Sequence, residues 1–155
     1  MSLFGKLDAE LISTNPFKVD KGEYEATVVE ARYNTNKNDV RQLVIQYEIT
    51  NEDSEFKGNK VAHYLDLVDS DMTQEKLEMM PADEKKKIRM SLAKLKKTLC
   101  GNEGNVNHKG LGVDINDLNE DWNPEILVGT AVRLGINTNG KNNEYTNVQW
   151  VNLQD

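Results

Sequence analysis

The side chains best suited to bind a ligand are aromatic rings and cations that fall on strand-like segments and in the polar loops between them. Alternation along each segment places three aromatic candidates outward: Tyr33, Tyr64 and Trp150. Cations accompany them on the same segments and loops: Arg32, Lys37, Arg41, Lys60, Arg133 and Lys141. Exposed rings stack on flat bases and Lys or Arg neutralises phosphates, so this combination is typical of sites for single-stranded nucleic acid.

Trp150 also has an ordinary structural interpretation. It shares its predicted face with Val148, and it lies on the surface if Tyr145, Val151 and Leu153 form the core. The alternative is that Trp150 packs beneath a helix or loop, as tryptophan often does in small β-domains. The sequence leaves both interpretations open.

Five segments alternate in hydrophobicity as β-strands do, and one basic helix falls between the third and the fourth. The strands are predicted at residues 22–33, 41–50, 60–69, 127–138 and 144–153, and the helix at 83–99. This order predicts a mainly β fold, a five-stranded OB-fold barrel with one amphipathic helix between strands three and four. The apolar phase of the first strand changes near Val28 and Val29, which predicts a bulge. Tyr24 and Tyr47 are predicted in the core.

Two loops of this predicted barrel, residues 34–40 and 139–143, are rich in Asn, Lys and Gly. In OB-folds the corresponding loops, with the second and third strands, form the usual binding face. The same composition is what a plain hairpin loop requires. The loops are therefore either binding elements or simple connections.

The predicted helix begins after Asp83, which we predict as its N-cap, and its apolar stripe is formed by Ile88, Leu92, Leu95 and Leu99. Seven of the 19 Lys and Arg residues lie at positions 85–97. This basic face either follows phosphates or stays in solvent while the helix closes the end of the barrel. A membrane-surface role is disfavoured because the apolar stripe is narrow.

Catalytic chemistry has little support in the sequence. His63 lies on an inward strand face and His108 in a glycine-rich loop, without metal-ligand spacing to a cysteine. Asp66, Asp69 and Asp71 are close in sequence but lack the glycine and terminal glutamate of a calcium loop. We therefore predict no enzymatic activity and no cofactor.

Length and charge bound the remaining possibilities. The chain of 155 residues fits one domain, predicted at residues 22–155 after an N-terminal arm at 1–21. Its net charge of −7 argues against coating DNA by bulk electrostatics alone. No apolar run is long enough for a membrane span, and the lone Cys100 indicates a reducing, cytoplasmic compartment. The thiol is either a reactive group beside the basic helix or an inert buried one.

The order of these phrases resembles that of phage-encoded single-stranded-DNA-binding proteins of the replication and recombination type. The phrases are Gly22-Glu-Tyr-Glu-Ala, Leu43-Val-Ile-Gln-Tyr-Glu-Ile, Glu55-Phe-Lys-Gly-Asn-Lys-Val61, the lysine-rich helix, Leu127-Val-Gly129 and Asn142-Asn-Glu-Tyr-Thr-Asn-Val. The resemblance covers roughly residues 20–153. Many such proteins end in an acidic tail that recruits enzymes, whereas this sequence stops at Val151-Asn-Leu-Gln-Asp155. It therefore favours strand binding over partner recruitment by a tail.

The resemblance implies binding of single-stranded DNA with little sequence preference, protecting it during phage DNA replication or recombination in the host cytoplasm. The aromatic candidates would stack on bases and the cations would hold phosphates. Replication or recombination proteins and further copies of the chain are the expected partners. The alternative is an OB-like interaction or structural domain that binds a protein partner through its acidic surface. A metal-dependent nuclease built on the Asp66–Asp71 segment is not favoured.

Overall fold

The computed structural model describes residues 19–68, 72–101, 109–118, 121–139 and 145–154. Its five strands are β1 (Gly22–Thr35), β2 (Arg41–Ile49), β3 (Lys60–Asp66), β4 (Ala131–Asn139) and β5 (Tyr145–Leu153). Between β3 and β4 lie helices α1 (Gln74–Glu78) and α2 (Ala82–Cys100), followed by two short 3-10 helices, Ile115–Asp117 and Pro124–Leu127. The predicted mainly β fold is confirmed. Residues 1–18 of the predicted arm lie outside the described residues.

The strands form one antiparallel sheet in the order β3-β2-β1-β4-β5. The long strand β1 lies at its centre, where its first half pairs with β4 and its second half with β2. The edge strands β3 and β5 contact each other. No strand pairing joins them in the described part of the chain, so the sheet is not closed and the predicted barrel is not confirmed.

A bulge in β1 decides which of its side chains face the core. The pairing with β2 shifts register between Val28 and Glu30 and leaves Val29 as the extra residue, as the phase change predicts. Val28 before the bulge and Ala31 after it are both buried. Tyr33 follows Ala31 in the row of Leu43 at the end of the strand, where its side chain is nevertheless 41% exposed.

A second bulge lies in β5, and the sequence gives no sign of it. Gly135 pairs with Trp150 and the next residue, Ile136, pairs with Val148, which leaves Gln149 as the extra residue. The bulge reverses the alternation, so Val148 is buried while Trp150 lies on the opposite face. The prediction that the two share a face is therefore wrong.

The hydrophobic core lies against the inner face of the sheet. Its completely buried members include Val19, Ile45, Tyr47, Leu65, Leu99, Val132 and Leu134. The predicted core position of Tyr47 is confirmed. Tyr24 lies only at the edge of the core, where it meets the ring of Phe56 edge-on at 6.1 Å between ring centroids.

Helix α2 joins the core through its last two turns, where Leu95 and Leu99 contact the core cluster. Thr98 and Leu99 are its buried residues, whereas Leu92 is 42% exposed. The predicted stripe is therefore used only at its C-terminal end, and most of the helix is exposed to solvent on several sides. The helix begins directly after Pro81 with no side-chain cap, so Asp83 lies in its first turn and is not the N-cap.

Strand β4 begins later than predicted. Residues Pro124–Leu127 form a 3-10 helix capped by the side chain of Asn123, and Gly129 then turns the chain with a φ of 93°. The strand starts only at Ala131. Val128 is 48% exposed because it belongs to this turn.

Candidate functional site

One face of β1, β2 and β3 is turned away from the core, and we call it the outer face. Its cross-strand rows are Glu30–Gln46–Ala62, Arg32–Val44–Tyr64 and Asn34–Gln42–Asp66. In the middle row Tyr64 is 53% exposed, whereas Val44 is only 2% exposed. Val44 does not belong to the core cluster, and in its row it is flanked by Arg32 and Tyr64. The row therefore presents an exposed ring and a cation on either side of a covered valine.

Polar contacts hold the side chains that border this row. Nε of Arg32 donates to Oε1 of Glu30 at 3.0 Å, and both side chains are about half exposed. Nε2 of Gln42 donates to Oδ1 of Asp66 at 2.8 Å. An exposed ion pair contributes only about 0–1 kcal/mol, so Arg32 can exchange Glu30 for an incoming phosphate at small cost.

A second aromatic group lies at the end of β1. The hydroxyl of Tyr33 donates to the carbonyl oxygen of Trp122 at 2.9 Å. Cζ of Arg41 lies 5.8 Å from the centroid of the Tyr33 ring, a cation–π contact. Partial burial raises the pKa of Tyr33, and the charge of Arg41 opposes that rise. The phenol is thus fixed by contacts at its ring and its hydroxyl.

A groove of about 310 Å³ runs between β1 and residues 121–125. Tyr33, Trp122 and Arg32 are among the residues that line it. Arg32 therefore borders both the groove and the outer-face row that contains Tyr64. Arg32 thus links the outer-face row to the groove, while Tyr33 lies in the row of Leu43 and Leu65 on the other side of the sheet from Tyr64.

The loop between β1 and β2 lies beside this surface and is held as a compact turn. Oδ1 of Asn36 accepts from the backbone N–H groups of Asn38 and Val40, at 2.8 Å and 3.1 Å. Asp39 has a φ of 62°, the left-handed conformation that such turns require. Lys37 is exposed in this turn and Arg41 begins the next strand.

Trp150 and Arg133 lie elsewhere, on β5 and β4. The indole of Trp150 stands over Gly135, and a Cβ built at Gly135 would overlap Nε1 of the indole. Arg133 is exposed in the row Glu25–Arg133–Asn152. These rows use the half of β1 before its bulge, whereas the row of Arg32 uses the half after it. The structure thus divides the predicted site residues into two groups.

The two remaining predicted cations do not add to either group. Lys60 pairs with Glu48 in the sheet, at the opposite end of β3 from Asp66. Lys141, with the rest of the loop at 140–144, lies outside the described residues. The acidic neighbour of Lys60 leaves little net positive charge at that end of the outer face.

His63 is buried and paired with the phenol of Tyr47. Nδ1 of His63 lies 3.3 Å from the hydroxyl of Tyr47, and only 5% of the histidine is exposed. Burial, and secondarily the charge of Lys94, lowers the pKa of His63 to about 3. Its Nε2 has no hydrogen-bond partner in the described part of the chain. The ring is therefore neutral at physiological pH.

The acidic segment at residues 66–71 and the thiol of Cys100 are the groups that were considered for catalysis. Asp66 accepts its hydrogen bond from Gln42, while Asp69 and Asp71 lie outside the described residues. Burial raises the pKa of the Cys100 thiol despite the opposing charge of Lys96. The interpretation of Cys100 as a thiol with a lowered pKa is therefore wrong.

Two features of the surface were not predicted. Trp122 lies in an acidic segment without strand alternation, so nothing in the local pattern marks it as a partner of Tyr33. Lys94 and Lys97 belong to the basic run of α2, but only the fold brings them beside His63. In both cases the residues that lie close together in space are far apart in the sequence.

No family model matches the chain, and no curated protein matches it. Among the described helices, none has the length and apolar character needed to cross a bilayer. The geometry of the outer face and of the groove is therefore the basis for a functional hypothesis.

Proposed function

We propose that this protein binds single-stranded DNA with little sequence preference. The observation that carries the proposal is the exposed ring of Tyr64 in one row with Arg32, which also borders the Tyr33–Trp122 groove. Tyr64 offers an exposed ring face for one base, worth about 1–3 kcal/mol. Trp122 and Tyr33 line the groove that would take a second base. Arg32 borders both this groove and the row of Tyr64, where it would contact the phosphates of the DNA.

The cations on this surface, which also carries the acidic groove residues Asp121 and Glu125, would make a non-specific contact with the DNA backbone. Arg32 leaves an exposed ion pair with Glu30, and Lys37 and Arg41 extend the positive charge along the neighbouring turn. Each cation that neutralises a phosphate of a single strand steepens the dependence of log affinity on log salt by about 0.7. Three such contacts give a slope of about −2.

The architecture supports the proposal at the level of fold. The strand order β3-β2-β1-β4-β5, with β3 and β5 in contact, is the order that an OB-fold barrel would have after closure. We infer that the domain is an OB-fold of the phage single-stranded-DNA-binding type, acting in DNA replication or recombination in the host cytoplasm. The face formed by β2, β3 and the β1–β2 turn is the usual binding face of that fold.

The experiment is fluorescence anisotropy of a labelled oligo-dT of about thirty nucleotides, beside a matched duplex, across a salt series. We expect a preference for the single strand. Tyr64→Ala should weaken binding by about 1–3 kcal/mol, whereas Tyr64→Phe, which keeps the ring, should bind like the wild type. Arg32→Gln should lower the salt slope, and Lys57→Gln, in the β2–β3 turn, serves as its control.

Absence of binding at low salt would overturn the proposal. Equal losses of oligo-dT affinity in Tyr64→Ala and Tyr64→Phe would show that Tyr64 does not act by stacking on a base.

A second candidate function follows from the distribution of charge. Helix α2 contains seven of the 19 basic and two of the 26 acidic residues, so the rest of the chain holds 12 basic and 24 acidic residues. A surface this acidic suits a basic protein partner. If oligo-dT does not bind, this interaction domain is the function to test.

A further inference from the structure

Helix α2 has a second face, about a third of a turn around the helix from the apolar stripe that ends at Leu99. An open groove of about 420 Å³ follows this face. The residues that line it recur at helical spacing: Ala82, Lys85, Lys86, Arg89, Met90 and Ala93. The buried residues of α2 are Thr98 and Leu99, at the other end of the helix. The groove therefore lies outside the core.

The groove combines positive charge with apolar surface. Met90 is 62% exposed, and with Ala82 and Ala93 it supplies the apolar part of the lining. The three cations of the groove form no ion pair with a described residue. A phosphate backbone would use the cations and leave the methionine exposed, whereas an acidic protein surface with an apolar side chain would use both. The groove is thus suited to an acidic and partly apolar protein surface.

The chain itself carries a surface of that kind. Ile126 is 74% exposed and Val128 48%, and the carboxylate of Glu125 lies on the same exposed stretch. Asp121, which lines the Tyr33–Trp122 groove together with Glu125, adds a second acid. We call Asp121, Glu125, Ile126 and Val128 the acidic patch. Its 3-10 helix packs on the central strand β1, whereas α2 packs on the edge strands β3 and β5.

The charge of the whole chain is distributed in the way that such a contact requires. Helix α2, with seven basic and two acidic residues, has a formal charge of +5, and the other 12 basic and 24 acidic residues give −12. Two whole chains repel each other at long range. At a contact in 0.1 M salt, however, the charges within about 10 Å dominate. The basic helix of one copy is therefore attracted to the acidic remainder of another.

We propose that the α2 groove binds the acidic patch of a second copy of this chain. Met90 of one copy packs against Ile126 of the other, and Arg89 and the neighbouring lysines pair with Glu125. This self-association goes beyond the proposed function, because it needs no DNA.

The test is sedimentation velocity of the full chain without DNA over a series of protein concentrations. The average sedimentation coefficient of the wild type should rise with concentration. Arg89→Glu and Glu125→Lys each place like charges across the contact, so each should raise the dissociation constant of self-association about tenfold or more. An equimolar mixture of these two variants should associate again, because the reversed charges then face each other.

Two exposed positions near the start of β1 offer matched controls. Lys21→Glu and Glu23→Lys change the net charge by the same amounts as the two test variants, and they should associate like the wild type. Met90→Ser and Ile126→Ser examine the apolar part of the contact. Both side chains are mostly exposed, so these variants should fold normally and associate more weakly.

A wild type that stays monomeric at every concentration would overturn the proposal. So would a mixture of the two charge-reversed variants that stays monomeric, or an equal loss in the controls. If the wild type is monomeric and Arg89→Glu weakens oligo-dT binding, α2 contacts nucleic acid and not a second copy. If the chain associates but binds no oligo-dT, the proposed DNA-binding function fails and the self-association stands.

Discussion

Trp150 and Gly135 are cross-strand partners in which the indole occupies the space that a side chain at position 135 would need. The close approach depends on the absence of a Cβ. The backbone of Gly135 is not left-handed. Glycine is needed at this position because a side chain would not fit, and not because of the value of φ. The bulge at Gln149 and this contact together fix the position of the tryptophan on β5.

Gly135→Ala should therefore displace the indole. The new methyl group overlaps Nε1 of Trp150, and overpacking of this kind costs about 1–3 kcal/mol. Urea unfolding measures the loss, and tryptophan fluorescence in a Trp122→Phe background reports the movement of Trp150. The control is the double variant Gly135→Ala with Trp150→Ala. If alanine at 135 costs as much there as in the wild type, the overlap is not the cause.

The buried pair of Tyr47 and His63 gives a second prediction. Tyr47→Phe leaves Nδ1 of His63 without its hydrogen-bond partner in the core, and the free energy of unfolding should fall by about 1–3 kcal/mol. The combined variant Tyr47→Phe with His63→Leu replaces both polar groups by apolar ones. It should recover part of that loss, as measured by urea unfolding. A double variant less stable than Tyr47→Phe would show that the histidine has another stabilising partner.

Much of the fold could be predicted from local sequence, and the errors have physical causes. Strand positions and the bulge at Val29 follow from alternation, which a single sequence displays. The bulge at Gln149 does not, because its register depends on pairing with β4. Helix α1 has no sequence signal of its own, since only five residues form it and its stability depends on the Thr73 cap and on burial of Leu77.

The candidate site was predictable only in part for the same reason. The outward positions of Tyr64 and Arg32 can be predicted from the alternation of side chains along a single strand. The groove between Tyr33 and Trp122 joins residues 89 positions apart, and the contact of Lys94 with the surroundings of His63 likewise spans two elements. Such proximities are set by tertiary packing, which residue types and spacing do not encode locally.

Stability should fall as the pH is lowered because of His63. Burial lowers the pKa of His63 from 6.5 to about 3 in the native state. The unfolded chain therefore binds more protons between these two values, and the free energy of unfolding decreases as pH falls through that window. Between pH 7 and pH 5 the loss is about 2 kcal/mol.

Urea unfolding at several pH values measures this loss. The Tyr47→Phe, His63→Leu double variant should lose this part of the slope, whereas His108→Gln should keep it. A slope unchanged by the loss of His63 would assign the pH dependence to other groups.

The residues of the apolar stripe of α2 are buried to different extents. We therefore expect substitutions along the stripe to lower the free energy of unfolding by different amounts. Leu99 is completely buried in the core, so Leu99→Ala should lower the free energy of unfolding by about 2–5 kcal/mol. Leu92 is 42% exposed on the same helix, so Leu92→Gln should change it by less than about 0.5 kcal/mol. Both residues favour helix similarly to their replacements, so propensity does not obscure the comparison. Urea unfolding of the two variants decides the matter: a cost at Leu92 equal to that at Leu99 would mean that the helix is covered along its whole length in solution.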